Sequence, residues 1–236
     1  MSKRKTYALI CILVCAVSIL SAFALSSVGS AIHAAITYEP PVTVVIDAGH
    51  GGEDGGAVSV TGVHESGINL EIALRVNDLM HLLGIETVMI RTEDVSVYTE
   101  GRTVAQKKVS DIRHRVEIVR QIEKPLLLSI HQNQFQESKY RGAQVFYAQT
   151  DGSQALAERL QEQLAAQVDP NNHRACKRAK DIYLMEHISC TAVLVECGFL
   201  SNPAEEALLR DAVYQKKLAA TVACTILSFL EEANEV

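Results

Sequence analysis

The chain has 236 residues, of which 48% are hydrophobic and 21% are charged, and its formal net charge is −6. A chain of this length and composition can bury one sizeable hydrophobic core, which excludes an intrinsically disordered protein. The acidic balance, the low aromatic content and the lack of tryptophan disfavour nucleic acids and anionic lipid surfaces as main partners.

The first 35 residues are typical of an export segment followed by a linker. A basic cluster at Lys3–Lys5 precedes a long apolar stretch from Tyr7 to Leu25, and no further charge occurs before Glu39. This order predicts either a cleaved signal peptide or an uncleaved membrane anchor. We therefore expect residues 36–236 to form an extracytoplasmic domain that is secreted or is held at a membrane through the N-terminal segment alone.

Strand and helix patterns alternate along the rest of the chain. Several strands are apolar on both faces, which is typical of parallel strands covered by helices on both sides. We predict a single α/β domain with an open, mostly parallel (mixed) sheet of about six strands and helices on both faces. The predicted strands are Val42–Asp47, Glu86–Arg91, Leu126–Ile130, Gly142–Ala148, Ile182–Met185 and Thr191–Glu196, and the predicted helices are Ile68–Leu83, Val104–Gln121, Ser153–Val168 (with Ser153 as N-cap), Pro203–Leu209 and Val213–Leu230.

Four cysteines lie in the predicted domain, and none of them has the Cys-x-x-Cys spacing of a zinc ribbon or redox site. One disulfide is compatible with an extracytoplasmic location, but a domain of this size does not require it. Cys197 and Cys224 lie in apolar segments, so we expect them to be free, buried thiols. The remaining two are Cys176 and Cys190.

Three apolar strands end in, or just before, a residue that can bind a metal or move a proton. His50 follows the first strand in a glycine-rich loop, His131 follows Ile130, and Glu196 ends the last strand. The carboxyl ends of parallel strands meet at one edge of a sheet, where ligands usually bind. The glycine-rich loop contains Glu53 and Asp54 but no lysine, which disfavours a phosphate ligand. The pattern therefore predicts a metal or proton-transfer site at this edge.

Two histidines at neighbouring strand ends favour zinc, which in catalytic sites commonly takes three protein ligands and keeps one position open. The third ligand is expected to be a nearby acid or histidine, and two candidates compete: Glu53, three residues after His50, and Glu65, just before the first helix. Spacing alone leaves this choice open. Glu196 follows an apolar run, so burial is expected to raise its pKa into the range useful for a general base.

Four motifs in this order resemble the zinc-dependent N-acetylmuramoyl-L-alanine amidases of the type-3 family. The resemblance spans residues 42 to about 230 and implies that Zn²⁺ is held by His50, Glu65 and His131, with Glu196 as the catalytic glutamate. It also implies hydrolysis of the amide between N-acetylmuramic acid and L-alanine of the stem peptide in peptidoglycan. The motifs are Ile46–Gly52, Glu65–Leu70, Ser129–Asn133 and Val193–Asn202.

A softer similarity over 171–184 and 214–219 resembles members of this family that act on the spore cortex. It implies removal of stem peptides before muramic-δ-lactam forms, in the intermembrane space of the forming spore, as germination requires. An accessory protein that holds the zinc-loaded state is a further expectation. Two alternative functions stay open: a zinc carboxypeptidase that acts on stem peptides and uses Glu53 as a ligand, and a non-catalytic cell-wall-binding module.

Overall fold

The structure is a computed structural model that describes residues 41–234, which belong to one compact unit. The predicted export segment, residues 1–35, lies outside the described residues, so its nature stays a prediction. Within residues 41–234, no helix combines the length and the apolar character that crossing a bilayer requires.

A six-stranded mixed sheet forms the centre of the fold, in the order β2-β1-β3-β6-β4-β5. Strands β2, β1, β3 and β6 run parallel, whereas β4 runs antiparallel to β6 and parallel to β5. This confirms the predicted mostly parallel, mixed sheet. The strands are β1 Thr43–Ala48, β2 Thr87–Met89, β3 Pro125–Asn133, β4 Gln144–Tyr147, β5 Lys177–Arg178 and β6 Thr191–Phe199.

Helices cover both faces of this sheet, as predicted. Helices α1, α3 and α6 pack with Leu126, Leu128 and Ile130 on one face, whereas α2 and α4 pack with Leu127 on the other. Successive residues of a strand point to opposite faces, so burial of both faces explains the continuous apolar runs in the sequence. The helices are α1 Glu65–Leu82, α2 Val104–Gln121, α3 Ser153–Gln163, α4 Tyr183–Glu186, α5 Pro203–Leu209 and α6 Ala212–Asn234, and a π-helical turn, Leu164–Val168, extends α3.

The parallel register brings the carboxyl ends of β1, β3 and β6 to one edge of the sheet. Ala48 pairs with Ile130, and His131 pairs with Glu196. The ladder continues one residue beyond β1, because Gly49 N donates a hydrogen bond to Ile130 O at 3.0 Å. Aligned residues of neighbouring parallel strands point to the same face, so the side chains of His131 and Glu196 are neighbours.

One predicted strand is wrong. The segment Ile182–Met185 lies in and around helix α4, where Leu184 and Met185 are buried against the face that α2 covers. The sixth strand is instead β5, Lys177–Arg178, which is exposed and carries no apolar pattern. A four-residue apolar run fits one buried helical turn as well as a strand, so periodicity could not separate the two.

Two local predictions also need correction. The N-cap of α3 is Gly152, with φ of 75°, and the Ser153 hydroxyl instead accepts a hydrogen bond from Ala192 N at 2.8 Å. Ser153 therefore ties α3 to β6. Of the two cysteines expected to be buried, Cys197 is buried but Cys224 is exposed, and all four cysteines of the described residues are free thiols.

Candidate metal and active site

His50 lies two residues beyond β1 in the left-handed backbone region, with φ of 60°. This conformation is uncommon for a residue with a side chain, and it persists where the surroundings fix it. Two buried arginines do so by binding backbone carbonyls. Arg115 Nη2 donates to His50 O at 2.7 Å, and Arg91 donates to Ala48 O at 2.7 Å and to Gly49 O at 3.0 Å.

Arg115 also joins this loop to a buried carboxylate. Its guanidinium donates to Asp47 and, at 2.5 Å, to Asp111 Oδ2, while Ser129 Oγ donates to Asp47 Oδ2 at 2.6 Å. Burial acts to raise the pKa of Asp47, but the charge of Arg115 and these hydrogen bonds outweigh it and lower the pKa. Asp47 is therefore ionised, and it reaches the glycine-rich loop through Arg115.

Three predicted ligands come together at the sheet edge. His50, Glu65 and His131 each offer an atom within 4.8 Å of the others, and this group could hold a metal ion. His50 Nε2 lies 3.3 Å from Glu65 Oε2, and His131 Nδ1 lies 3.0 Å from Glu65 Oε1. The two imidazole rings meet edge to face with centroids 5.0 Å apart. Glu65 is the first residue of α1 and is only 3% exposed.

The surroundings of these side chains fit zinc. Asp54 Oδ2 lies 3.0 Å from His50 Nδ1, and the neutral tautomer of His50 that donates this hydrogen bond has an unprotonated Nε2 that can bind a metal. Outer hydrogen bonds of this kind orient metal ligands and fix the tautomer of a histidine. Two imidazoles and one carboxylate form a donor set that catalytic zinc uses. Backbone and amide donors also hold Glu65: Ala57 N, Asn69 Nδ2 and Gln132 N, at 3.0–3.1 Å.

Two carboxylates of this region are held ionised. Burial acts to raise the pKa of Glu65, but the hydrogen bond with His131 and the charges of the histidine rings lower it to about 2. Burial likewise opposes ionisation of Asp54, yet hydrogen bonds with Lys108 and His50 lower its pKa to about 2. An ionised Glu65 is what metal binding requires.

Two glycines make room for the ligand side chains. A Cβ atom at Gly49 would lie 2.2 Å from the ring of His131. At Gly56, where φ is 68°, a Cβ atom would lie 2.6 Å from Glu65 Oε2 and 2.7 Å from His50 Cδ2. Glycine is therefore needed at both positions for the three ligand side chains to meet.

Glu196 lies beside the ligand group but has a different environment. Its Oε2 atom is buried and has no hydrogen-bond partner. Burial raises the pKa of Glu196 to about 7, with His131 opposing the shift and Glu65 adding to it. A carboxyl group with a pKa near neutrality can both accept and donate a proton at neutral pH.

The competing sequence candidate Glu53 and a nearby exposed arginine, Arg141, both lie outside this group. Glu53, the competing ligand, has a side chain that is 53% exposed and pairs with Lys107 Nζ at 2.7 Å. Arg141, a solvent-accessible arginine, pairs with Asp169 at 2.9 Å. A cavity of about 730 Å³ between α3 and α6, lined by Arg159 and Cys224 among others, contains none of the predicted site residues.

The sequence reasoning missed the residues that support the ligands, above all Arg115, Arg91 and Asp54. Arg115 did leave a signal, because it lies on the same stripe of α2 as the buried Val116 and Val119. A charged residue among buried neighbours on one helix face predicts a buried ion pair. Its partner, however, lies 68 residues away in sequence, which periodicity does not show.

The chain is therefore an α/β protein with a candidate mononuclear metal centre. The centre consists of two histidines and a glutamate at the carboxyl ends of the strands, and the carboxyl group of Glu196 lies beside it. The family model described as N-acetylmuramoyl-L-alanine amidase matches residues 44–228. The chain belongs to this enzyme family, which confirms the resemblance carried by the four motifs.

Individual relatives agree with this assignment. The chain is 36% identical to the germination-specific N-acetylmuramoyl-L-alanine amidase of Bacillus subtilis over 194 residues, which cover 81% of each chain. Its fold is similar to that of the CwlD amidase from Clostridioides difficile, solved in complex with the GerS lipoprotein, with a TM-score of 0.77, 39% identity and coverage of 80% of this chain and 98% of that one. The amidase AmiC2 of Nostoc punctiforme gives a TM-score of 0.70 and 28% identity, with 82% of this chain and 99% of that chain covered.

Proposed function

We propose that this chain is a zinc-dependent peptidoglycan hydrolase that cleaves the amide between N-acetylmuramic acid and L-alanine of the stem peptide. Membership of the amidase family supports the reaction class. The observation that carries the proposal is the buried, unpartnered Oε2 of Glu196 beside the His50–Glu65–His131 group. An unpaired buried carboxyl oxygen is costly to stability, and such cost is typical of functional sites.

In this proposal His50 Nε2, Glu65 and His131 Nδ1 hold the zinc ion. Zinc bound there would polarise the scissile carbonyl and make the attacking water acidic near neutral pH. Asp54 keeps His50 in the tautomer that exposes Nε2, and the donors around Glu65 hold its carboxylate in place. The protein therefore supplies a ligand set that is arranged before the substrate arrives.

Glu196 moves the proton. Its carboxylate accepts a proton from the water molecule whose oxygen attacks the carbonyl carbon of the lactyl group. The carbon–nitrogen bond then breaks, and Glu196 delivers the proton to the nitrogen of L-alanine. The products are a lactyl carboxylate on the sugar and a stem peptide with a free amino end. The pKa of about 7 suits a group that takes and then gives a proton.

The two alternatives account less well for these residues. A carboxypeptidase site with Glu53 as ligand would have to break the Glu53–Lys107 pair and leave the buried Glu65 unused. A non-catalytic binding module would gain nothing from a buried carboxyl oxygen without a partner.

The proposal extends to the biological setting. The Bacillus subtilis relative is named as germination-specific, and the Clostridioides difficile relative was solved with the GerS lipoprotein. We therefore infer that this chain acts outside the cytoplasm on the spore cortex, where its product leads to muramic-δ-lactam. A lipoprotein-type accessory partner belongs to the same inference.

Incubation of the zinc-loaded full chain with peptidoglycan, followed by mass spectrometry of the products, tests the reaction. The wild type and the matched control Glu53→Gln should release free stem peptides that begin with L-alanine, whereas Glu196→Gln should not. Shortened peptides still attached to muramic acid would indicate the carboxypeptidase. Peptidoglycan binding without any product would indicate the binding module.

A further inference from the structure

Three exposed apolar side chains lie close to the ligand group along the chain. Val58 is 45% exposed, Val60 is 52% exposed and Phe135 is 53% exposed, and together they are called the apolar rim. Among residues 41–234, Phe135 is the more exposed of two exposed aromatic side chains, the other being Tyr183 on α4. A large exposed aromatic ring beside a candidate catalytic site is typical of a ligand contact.

The apolar rim is connected to the ligand Glu65 from two sides. Val58 directly follows Ala57, whose N–H donates to Glu65 Oε2 at 3.0 Å. Phe135 comes three residues after Gln132, whose N–H donates to Glu65 Oε1 at 3.1 Å. The two segments that carry the rim are therefore both anchored near their beginning by a hydrogen bond to the carboxylate of Glu65.

Hydrogen bonds also join the two loops to each other and to the end of β6. Gln134 Nε2 donates to Val58 O at 3.1 Å, and Val60 N donates to Leu200 O at 3.3 Å. Phe135 N donates to Ser201 Oγ at 3.1 Å. The three rim residues are thus held by backbone and amide contacts while their side chains stay exposed.

The ring of Phe135 packs against further aromatic side chains. It meets Tyr140 edge to face, with ring centroids 4.7 Å apart, and Tyr140 stacks on Phe199 at 6.3 Å. Phe199 in turn pairs with Asn133 across β3 and β6 and lies under the guanidinium of Arg174. A ring supported in this way loses little conformational freedom when a ligand covers it.

We propose that the apolar rim binds the C–H face of a pyranose ring of the glycan strand, next to the bond that is cleaved. This inference rests on the proposed amidase function. The scissile amide is attached to a sugar through the short lactyl group, so a sugar ring must lie beside the ligand group during the reaction. A pyranose ring has one face of C–H groups, and an aromatic ring provides a flat apolar surface that such a face can cover.

The observations favour the glycan over two other occupants. A protein partner buries about 800 Å² on each side, and such a partner seated on the rim would cover the approach to Glu65. The stem peptide beyond L-alanine carries charged groups, which three apolar side chains do not pair with. The uncharged, ring-shaped part of the substrate is the part whose surface matches the rim.

The test measures binding in a full chain that cannot turn over its substrate, Glu196→Gln, loaded with zinc. Phe135→Ala and Phe135→Tyr are added to this background, with Tyr183→Ala as the matched control on the other exposed ring. The probes are intact peptidoglycan, glycan strands stripped of stem peptide, and free stem peptide. We expect Phe135→Ala to weaken binding of both glycan-containing probes about tenfold, while Phe135→Tyr and Tyr183→Ala change it less than about twofold.

Equal binding of stripped glycan by Phe135→Ala and its parent would overturn the inference, as would a loss confined to free stem peptide. Val60→Ser is a second variant that should weaken the same probes less strongly, so a folding defect of Phe135→Ala would not hide the answer. The chain with Glu196 intact separates this inference from the proposed function. If the wild type releases free stem peptides but Phe135→Ala binds glycan as its parent does, only the proposed role of the apolar rim is refuted. If the wild type releases no stem peptides, the proposed amidase function is refuted.

Discussion

His50 and His131 reach the same glutamate by different structural means. His131 lies within β3, where its backbone is part of a regular parallel ladder with β6. His50 lies beyond the end of β1 in a left-handed conformation that Arg91 and Arg115 hold through backbone carbonyls. One candidate ligand is therefore positioned by the sheet itself, and the other by buried charges. The position of His50 therefore depends on buried ion pairs that lie outside the site, whereas the position of His131 does not.

The largest expected effect comes from breaking the support of His50. Arg115→Met leaves the carboxylate of Asp47 buried without its charged partner, which should lower the free energy of unfolding by about 3–5 kcal/mol. Urea denaturation at neutral pH measures this loss. Part of it should return in the double variant Arg115→Met, Asp47→Asn, because that variant no longer buries an unpaired charge.

Arg120 on the same helix offers a matched control. It forms an exposed pair with Glu117 at 2.9 Å, and the two side chains are 52% and 55% exposed. Arg120→Met should change the free energy of unfolding by less than about 1 kcal/mol. If Arg115→Met and Arg120→Met lose equally little stability, the buried network around Arg115 does not hold the loop of His50.

The second effect concerns Glu196, the neighbour of His131. Its pKa rises from 4.5 to about 7 in the folded chain, so the unfolded chain releases this proton at a lower pH than the folded one. The metal-free wild type should therefore lose stability relative to Glu196→Gln as pH rises from 4.5 to 7. The expected loss is on the order of 3 kcal/mol.

Denaturation of both chains in the presence of a chelator, at several pH values between 4.5 and 8, measures this difference. At pH 4.5, the low end of this range, Glu196 is still protonated in the folded chain, so the pH-dependent loss of stability should be smallest there. If the free energies of unfolding of the two chains change with pH in parallel across the whole range, Glu196 is not held in a desolvated state.

A smaller effect should follow from removing the outer partner of His50. Asp54→Asn weakens the contact that fixes the tautomer of His50, and loss of such an outer partner typically lowers metal affinity by about 10–100-fold. Competition with a zinc chelator measures the affinity. The adjacent Glu53→Gln should leave it unchanged within about twofold, because Glu53 lies outside the ligand group. Equal zinc affinities for both variants would show that Asp54 does not orient His50.

The smallest effect is expected at a glycine that touches neither histidine. A Cβ atom at Gly67 in α1 would meet nothing within 4 Å, so Gly67→Ala should stabilise the fold by about 0.5–1 kcal/mol. Gly62 also has open space but a φ of 87°, and Gly62→Ala should destabilise the fold by about 1–2 kcal/mol. Thermal denaturation measures both changes, and zinc affinity should stay constant. A change in affinity at either glycine would show that the ligand group is sensitive to the backbone at large.

Much of the fold could be predicted because burial leaves a clear pattern in the sequence. The core of β3 is apolar on both faces and breaks at His131, so both the strand and its functional end were visible. The four-residue helix α4 and the two-residue strand β5 are too short for a period to form, and their structure depends on what they pack against.

The candidate site could be predicted in part for a related reason. His50, His131 and Glu196 stand at breaks in apolar runs, whereas the choice of Glu65 over Glu53 came from family resemblance. Arg91 and Arg115 act through contacts with residues distant in sequence or with loop backbone, and the place of Arg115 on a buried helix face does not name its partner. Asp54 lies only four residues after His50, but the loop conformation that brings the two side chains together leaves no periodic pattern in the sequence. The aromatic support of Phe135 depends in the same way on Tyr140, in the loop after β3, and on Phe199 at the end of β6, which the fold brings together.

The pairing of His131 with Glu196 sets limits on how this domain can diverge. Neighbouring strands lie about 4.8 Å apart, and backbone hydrogen bonds rather than side chains maintain that spacing. The distance between His131, a proposed metal ligand, and Glu196, the proposed proton carrier, is therefore insensitive to the length of the loops that leave β3 and β6. Loops of very different size and sequence can be added at this edge to change which cell-wall polymer is accepted, while the spacing between His131 and Glu196 stays the same.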